Sequence, residues 1–369
     1  MQSCRGRSIR ARPGKAIAPI HQKPIKPPPV AHPFLIKEIA LQAGLSEATV
    51  DRVLNRRGGV RRHNAERVRQ AVRELQGQSE QAGLAGRKFV VDLVMQAPDR
   101  FSEAVRIALE DEMPALRPAV FRARHHFSEV VRLGDLAALI DRIGARGTHG
   151  LFLKGPDEPE IAAAVDRLVA RGIPVVTLVT DVPTSRRAAY VGMDNRAAGE
   201  TAAYLIGEWL GGARAKILAT LSSNRFRGEE EREIGFRRAL RTRYPNLGIV
   251  EASEGLGIDR PTGALVRKAL AANPDVVGAY SIGGGNRAVI DAFRATGRTC
   301  RVFVGHDLDA DNLALLRERK ISAVLHHDLR ADMRSACRVV MQAHRVLPPS
   351  APPPPSQVQI ITPFNLPAA

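Results

Sequence analysis

The sequence predicts a small helical domain followed by a larger α/β domain built from two doubly wound, parallel-sheet lobes. Residues 34–76 have helical apolar periodicity, and apolar strand-like runs alternate with amphipathic helices after residue 88. The same alternation restarts near residue 195, which indicates a second lobe of similar size. With 369 residues and 44% hydrophobic composition, the chain is long enough for two or three folded units with packed cores.

The first 33 residues are basic and rich in proline. They contain seven basic and no acidic residues, and so supply +7 of the formal net charge of +17. Because this composition cannot bury a core, we expect residues 1–33 to form a disordered extension. Three interpretations remain open for this extension: a tail that adds nonspecific affinity for DNA, a solvated tail without a role, and an over-long choice of start site.

The segment IKEIALQAGLSEATVDRVLN, residues 36–55, predicts a helix-turn-helix inside a three-helix domain at 34–76. Ala40 is small where the second helix crosses, Gly44 supplies the positive φ of a tight turn, and Ser46 caps the second helix. The alternative is an ordinary helical hairpin with glycine in its turn. We expect the second helix to enter a major groove of DNA.

Several polar residues are candidates for contacting that DNA. Arg52 is the best candidate for reading a base, because a guanidinium binds a guanine edge bidentately. Asn64 is expected to cap the third helix, whose amino end then meets a phosphate. Arg56, Arg57, Arg61 and Arg62 cluster nearby as phosphate contacts. The candidate DNA-binding residues are Ser46, Glu47, Ala48, Thr49, Arg52, Asn55 and Asn64.

The rest of the chain is predicted to be a linker and a two-lobed domain. Residues 77–87 are rich in glycine and polar groups and are expected to be a hinge or linker. We expect the prolines of PPSAPPPPS, 348–356, to form a stiff crossing, and QVQIITPFNL to contain a strand. The expected effector domain spans 88–369, with lobe 1 at about 88–194 and 327–356 and lobe 2 at about 195–326 and 357–369.

Residues 34–76 resemble the DNA-binding head of the lac-repressor (LacI) family, through ATVDRVLN and the following RRGGVR and ERV. The second part resembles the effector domain of that family, which is similar to periplasmic sugar-binding proteins. The motifs that carry this second resemblance are VGMDNRAAGETAAYLI, REIGFRRAL with Arg232, Gly235 and Phe236, and SIGGGNRAVIDAF followed by VFVGHD. The resemblance covers about residues 34 to 369.

This resemblance implies a cytoplasmic, homodimeric transcription regulator, most often a repressor, that binds a double-stranded DNA operator and a sugar or polyol effector. It implies no cofactor and no membrane partner. The chain departs from the family pattern at Asp51, which replaces a more usual serine, and at His327, where the family often has glutamine. The linker lacks the usual Pro-Asn, so that Leu84 is the candidate hinge residue for wedging into the minor groove.

Ligands of doubly wound domains lie beyond the carboxyl ends of the strands, and sugars favour carboxylates, Arg, Asn and aromatic faces. On this ground, and from the resemblance, we expect Asp99, Phe101, Arg232 and Asp307 to bind the effector. The residues Lys154, Asp181, Asn286 and His327 occupy comparable strand ends, where the alternative for each is a capping or hinge role.

Other classes of function have weaker support in the sequence. His326 and His327 are adjacent in a predicted strand and point to opposite faces, so we expect no metal site. Gly283 to Gly285 lack the spacing and the lysine of a phosphate loop. No catalytic residue can be placed by spacing, although a sugar-processing enzyme or a transporter solute-binding protein uses the same scaffold. The absence of an 18-residue apolar run and of paired cysteine motifs favours a cytoplasmic protein.

Overall fold

The computed structural model describes residues 32–367, apart from the side chain of Gln81. The expectation for residues 1–33 therefore lies almost wholly outside the described residues. The chain divides into two compact units between residues 78 and 79. No described helix is both long enough and apolar enough to cross a membrane.

The first unit is helical, as predicted. The apolar faces of its helices meet in a core around Ile39, Val50 and Val68, each of which is almost completely buried. The helices are α1 (Ile36–Ala43), α2 (Glu47–Leu54) and the first part of α3 (Arg62–Leu84).

The third helix is longer than the sequence predicts. It continues to Leu84, so residues 77–84 of the expected linker are helical. Gly77 and Gly83 are single glycines among good helix formers, and each costs a helix only about 1 kcal/mol. Leu84 is 8% exposed and packs in the core of the second unit, so it is not free to act as the expected minor-groove wedge.

The second unit begins with a lobe built on a five-stranded, entirely parallel sheet in the order β2-β1-β3-β4-β5. Helices α4 and α12 pack on one face of this sheet, and α5 and α6 pack on the other. The elements of this lobe are β1 (Lys88–Gln96), α4 (Asp99–Glu112), a 3-10 turn (Met113–Leu116), β2 (Val120–Ser128), α5 (Leu133–Arg146), β3 (Gly150–Lys154), α6 (Pro159–Ala170), β4 (Val175–Leu178), β5 (Ala189–Val191) and α12 (Leu329–Ala343).

The other lobe is built on a six-stranded sheet in the order β11-β10-β9-β8-β6-β7, in which only β11 is antiparallel. Helices α7 and α8 cover one face, and α9, α10 and α11 cover the other. Its elements are α7 (Asn195–Leu210), β6 (Ala215–Thr220), α8 (Arg227–Arg243), β7 (Leu247–Ala252), α9 (Asp259–Ala272), β8 (Val276–Ser281), α10 (Asn286–Ala295), β9 (Val302–His306), α11 (Ala310–Arg317), β10 (Ala323–His326) and β11 (Gln359–Ile361). The predicted doubly wound architecture is confirmed in both lobes.

The chain crosses between the lobes three times, at 192–194, at 327–328 and at 344–358. Met193 and Ser356 form an isolated parallel bridge, and the backbone N–H of Ser356 donates to the carbonyl of Gly192 at 2.9 Å. The first and third crossings are therefore hydrogen-bonded to each other. The third crossing contains the proline-rich segment and leads into β11, the strand predicted at the end of the chain.

Candidate functional site

The turn between α1 and α2 fixes the geometry of the helix-turn-helix. Gly44 ends α1 at φ 59°, and a Cβ there would lie 2.8 Å from Nη2 of Arg67. The side chain of Ser46 accepts a hydrogen bond from the backbone N–H of Thr49, as predicted for its cap. Glycine is therefore favoured by the left-handed backbone, whereas the flexible end of the Arg67 side chain can move aside.

Helix α2 presents a polar face to solvent. Glu47, Ala48 and Arg52 are exposed, while Thr49 is half-buried with its hydroxyl 2.9 Å from that of Ser46. Arg52 makes no ion pair within the described part of the chain, so its guanidinium is available to a base edge. The face that sequence reasoning assigned to DNA is therefore open.

Asp51 organises the carboxyl end of α2. Its Oδ1 accepts a hydrogen bond from Nδ2 of Asn55 at 2.7 Å, and its Oδ2 forms a 2.7 Å ion pair with Arg57. Asn55 is therefore engaged within the head, with its carbonyl oxygen still available. Asn64 lies in the first turn of α3, which begins at Arg62, and so the expectation that Asn64 caps this helix is wrong.

A cleft lies between the two lobes of the second unit, at the carboxyl ends of strands from both sheets. The cavity has a volume of about 60 Å³. Polar and charged side chains dominate the lining, together with two phenylalanine rings. These side chains are Gln96, Arg100, Phe101, Glu129, Lys154, Thr180, Ser222, Phe226, Glu229, Arg232, His306, Asp307, Asp309 and Asn312.

Two buried cations occupy the floor of the cleft. Arg232 donates from Nε to Oδ1 of Asn195 at 2.7 Å and from Nη1 to the carbonyl of Ile282, which leaves Nη2 without a partner in the described residues. Nζ of Lys154 donates to the carbonyl of Gln96 at 3.1 Å and lies 4.3 Å from the centre of the Phe226 ring. Burial lowers the pKa of Lys154 to about 8, although the negative charges of the nearby carboxylates of Glu229 and Asp307 raise it in part.

Acceptors face these cations. Oδ1 of Asp307 is buried and has no hydrogen-bond partner in the described part of the chain. His306 shares a 2.8 Å hydrogen bond with the hydroxyl of Tyr280 through Nε2, and its Nδ1 has no partner among residues 32–367. Burial keeps the pKa of His306 well below its ordinary value, so its imidazole is neutral. Buried polar atoms without partners are costly, and a bound ligand removes that cost by bonding to them.

Contacts across the mouth hold the lobes together. Arg100, on α4 of the first lobe, donates from Nε to Oδ2 of Asp309 at 2.9 Å and from Nη2 to the carbonyl of Gly257 at 3.0 Å. Nearer the first crossing, the backbone N–H of Gly228 donates to the hydroxyl of Thr180 at 2.9 Å and so also joins the lobes. The cleft is therefore closed in this structure.

Four of the eight expected effector residues line the cleft: Phe101, Lys154, Arg232 and Asp307. The other four lie outside the lining. Asp99 begins α4, with its backbone N–H bonded to Glu129, and Asp181 pairs with Arg187. Asn286 donates to Asn312 at 2.5 Å and His327 is completely buried behind Asp307.

Sequence reasoning missed several lining residues. Arg100 and Asp309 lie beside residues that were considered, but nothing in a single sequence shows that they meet across the two lobes. Glu229 begins a helix and accepts from the backbone N–H and hydroxyl of Ser222. Glu229 lies three residues before Arg232 in GEEERE. Because residues i and i+3 share a face of a helix, the sequence could have predicted that Glu229 lies beside Arg232.

Comparison with known families identifies both domains. Residues 35–76 match the family described as bacterial regulatory proteins, lacI family. Residues 133–345, more than half of the chain, match the periplasmic binding protein domain. A curated relative, the ribose import binding protein RbsB of Bacillus subtilis (strain 168), is 26% identical over 182 residues, which are 49% of this chain and 58% of the length of that relative.

Solved structures show the same fold. The glucose-galactose binding protein GanP from Geobacillus stearothermophilus superposes with a TM-score of 0.67 at 21% identity, covering 76% of this chain and 99% of its own. A candidate LacI transcriptional regulator from Bacteroides fragilis gives a TM-score of 0.67 at 14% identity, covering 76% and 98%. The arabinose binding protein AraP from Geobacillus stearothermophilus gives 0.60 at 20% identity, covering 76% and 97%.

Fold and family matches together define a chain with a helix-turn-helix head of the bacterial-regulator type and a two-lobed domain of the periplasmic binding protein type. The chain belongs to the periplasmic binding protein domain family and carries the DNA-binding domain of the lacI family of bacterial regulatory proteins.

Proposed function

We propose that this protein is a cytoplasmic transcription regulator, most simply a repressor, whose operator affinity is set by a sugar or polyol bound in the closed cleft. The observation that carries the proposal is one chain that joins an open helix-turn-helix face to a cleft with unpartnered buried donors and acceptors. The domain composition supports a regulator rather than an enzyme.

The chemistry of the cleft favours an uncharged polyhydroxy ligand. Arg232 supplies a free donor and Asp307 a free acceptor, and a hydroxyl group satisfies either. The rings of Phe101 and Phe226 offer apolar faces to ring carbons. Three of the proteins named above carry ribose, glucose and galactose, or arabinose in their names, which supports a monosaccharide of this size.

We propose further that two copies act together on one operator. A single helix-turn-helix reads one half-site, and lacI-type recognition of a near-palindrome follows from two-fold symmetry of the protein. The effector then changes operator affinity by favouring one arrangement of the lobes over another.

The test is fluorescence anisotropy of the full chain titrated onto DNA from upstream of its own gene, at fixed salt. Each titration is run without and with D-ribose, D-glucose, D-galactose, L-arabinose, D-xylose, D-fructose or a polyol. We expect specific binding that one compound changes by about 5- to 150-fold. Binding that is only salt-sensitive, and that no compound moves, would contradict the proposal.

Arg52→Ala is the matched test of the head. We expect the difference in binding free energy between operator and unrelated DNA to fall by about 1–3 kcal/mol, because one bidentate base contact is lost. Sugar affinity should be unchanged, since Arg52 lies in the other compact unit. Arg69→Ala, an exposed cation on α3, is the control for loss of charge alone. Equal operator affinity of Arg52→Ala and wild type would remove Arg52 from the base-reading set.

Asp307→Asn is the matched test of the cleft. The residue has φ 64°, a conformation that asparagine tolerates, so the backbone should be preserved. Loss of a charged hydrogen bond should raise the Kd of the sugar about tenfold or more, with operator affinity of the free protein intact. Asp311→Asn serves as control, because Asp311 lies on α11, is half-buried and forms an ion pair with Arg287. An unchanged sugar Kd in calorimetry would exclude Asp307 from the binding site.

A further inference from the structure

A buried chain of polar contacts joins the second and third crossings between the lobes. His327, at the second crossing, is 0% exposed, and its Nδ1 lies 2.5 Å from Oδ2 of Asp332 on α12. The other oxygen of Asp332 accepts a hydrogen bond from the hydroxyl of Ser356, on the third crossing. Because Ser356 also pairs with Met193, all three crossings are linked through this network.

The free end of this network points at the cleft. Nε2 of His327 lies 4.0 Å from Oδ1 of Asp307, too far for a hydrogen bond. Both atoms are buried and have no other partner in the described residues. Two buried polar atoms without hydrogen bonds destabilise the protein. A ligand hydroxyl bonded to Asp307, or a movement that brings the two atoms within hydrogen-bond distance, lowers the free energy of the protein.

The buried guanidinium of Arg232 is connected to the first crossing through two side chains. Arg232 donates to Asn195, which donates from Nδ2 to the hydroxyl of Tyr190 at 3.0 Å. Tyr190 in turn donates to the carbonyl of Met193 at 2.8 Å, on the first crossing. The route through Arg232 is complete in this structure, whereas the route through Asp307 is interrupted at His327.

We propose that His327 is the positioning residue that couples occupancy of the cleft to the angle between the lobes. A sugar that bonds to Asp307 orients the carboxylate and relieves the unfavourable gap. Through Asp332 and Ser356 the imidazole then holds the crossings in one arrangement. The inference rests on the proposed function, but it assigns to His327 a role in transmission rather than in contact with the sugar.

The experiment measures sugar affinity and operator affinity separately in the full chain. His327→Ala, Asp332→Asn and Ser356→Ala are compared with wild type, using the member of the sugar panel that alters operator binding. We expect sugar Kd to stay within about threefold, while the effect of saturating sugar on operator Kd falls to about twofold or less from about 5- to 150-fold. Ser356→Ala removes only a hydroxyl, so it reports on the network even where His327→Ala unfolds.

His125→Gln is the matched control. Its Nε2 is also buried without a partner and lies 3.9 Å from a carboxylate oxygen of Glu110, but it belongs to β2, away from the crossings. This variant should keep the wild-type response. Folded His327, Asp332 and Ser356 variants that respond like wild type would overturn the inference alone. A raised sugar Kd with normal coupling would make His327 a ligand contact instead. A wild-type protein that responds to no sugar would overturn the proposed function and this inference with it.

Discussion

Lys154 shows how a single residue sets the charge balance of the cleft. The residue is 8% exposed, and its ammonium group makes no ion pair in the described part of the chain, although Glu229 and Asp307 are close enough to favour its charged form. Burial outweighs them and lowers the pKa of Lys154 to about 8. The folded protein therefore holds this proton less tightly than the unfolded chain does.

This shift predicts a pH dependence of stability. Because the folded-state pKa of about 8 is below the ordinary value of 10.5, the unfolded chain binds more protons than the folded protein between pH 8 and 10.5, and stability rises with pH in this window. The contribution is at most about 3 kcal/mol. Urea unfolding at several pH values should show wild type gaining stability relative to Lys154→Met between pH 8 and 10.5. Parallel curves for the two proteins would show that Lys154 is not held in a charge-disfavouring site.

Residues of the cleft were predictable from the sequence where a polar side chain lies at the end of a predicted strand. Lys154 and Asp307 end β3 and follow β9, and the rule that ligands lie beyond strand ends found both. The same rule also selected Asp181 and Asn286, whose polar groups are used within the fold by Arg187 and Asn312. Burial and partnering depend on tertiary contacts, so the sequence could not separate the two kinds of strand-end residue.

At the scale of elements, α7 and α8 cross with almost no side chain between them. A Cβ at Gly199 would lie 1.9 Å from the carbonyl oxygen of Arg232, and one at Gly235 would lie 2.2 Å from that of Arg196. Both obstacles are backbone atoms, which cannot turn aside as a flexible side chain can. Because Arg232 lies one turn before Gly235, this crossing also sets the position of the guanidinium in the cleft.

Gly235→Ala should therefore affect both stability and binding. We expect a loss of about 1–3 kcal/mol in the free energy of unfolding, because the added methyl group forces the helices apart. Sugar affinity should fall with it as Arg232 moves. Gly134→Ala, in helix α5, is the control. A Cβ at this position would lie 3.5 Å from the side-chain oxygen Oε1 of Glu160, which is an ordinary contact. Denaturation curves in which the two variants behave alike would contradict the assigned role of the crossing.

The elements themselves were largely predictable, because long apolar runs and helical periodicity are local signals. Strand β5 was missed, since three residues, Ala189–Val191, are too few to show a period. Helix α3 was cut short because Gly77 and Gly83 suggested a loop, whereas the packing of Leu84 in the second unit favours continued helix. Packing of this kind cannot be inferred from composition.

At the scale of the whole binding domain, the two lobes are joined on one side by three crossings and on the other by contacts at the mouth of the cleft. Arg100 is central to the mouth, because its guanidinium bonds both to Asp309 and to the carbonyl of Gly257 in the opposite lobe. Asp309 is also the N-cap of α11. Opening the cleft has to break these bonds, so they oppose release of a bound sugar.

Arg100→Ala should speed release of the sugar. We expect a higher dissociation rate with a smaller change in association rate, since contacts that close over a ligand act mainly on its escape. Stopped-flow fluorescence with the active sugar measures both rates. Arg106→Ala is on the same helix, and the ion pairs of Arg106 in the described structure are with Glu103 and Glu110 of that helix, so this variant should leave both rates unchanged. An unaltered dissociation rate in Arg100→Ala would show that closure does not depend on the mouth.

The proline-rich crossing at 348–356 has a mechanical consequence. Proline has no backbone N–H and a fixed φ, so the prolines of this stretch favour extended backbone and cannot donate to a sheet. The stretch is anchored at its end by the backbone bridge of Ser356 to Met193. We expect a stiff connection of this kind to favour rotation of one lobe relative to the other over sliding between them.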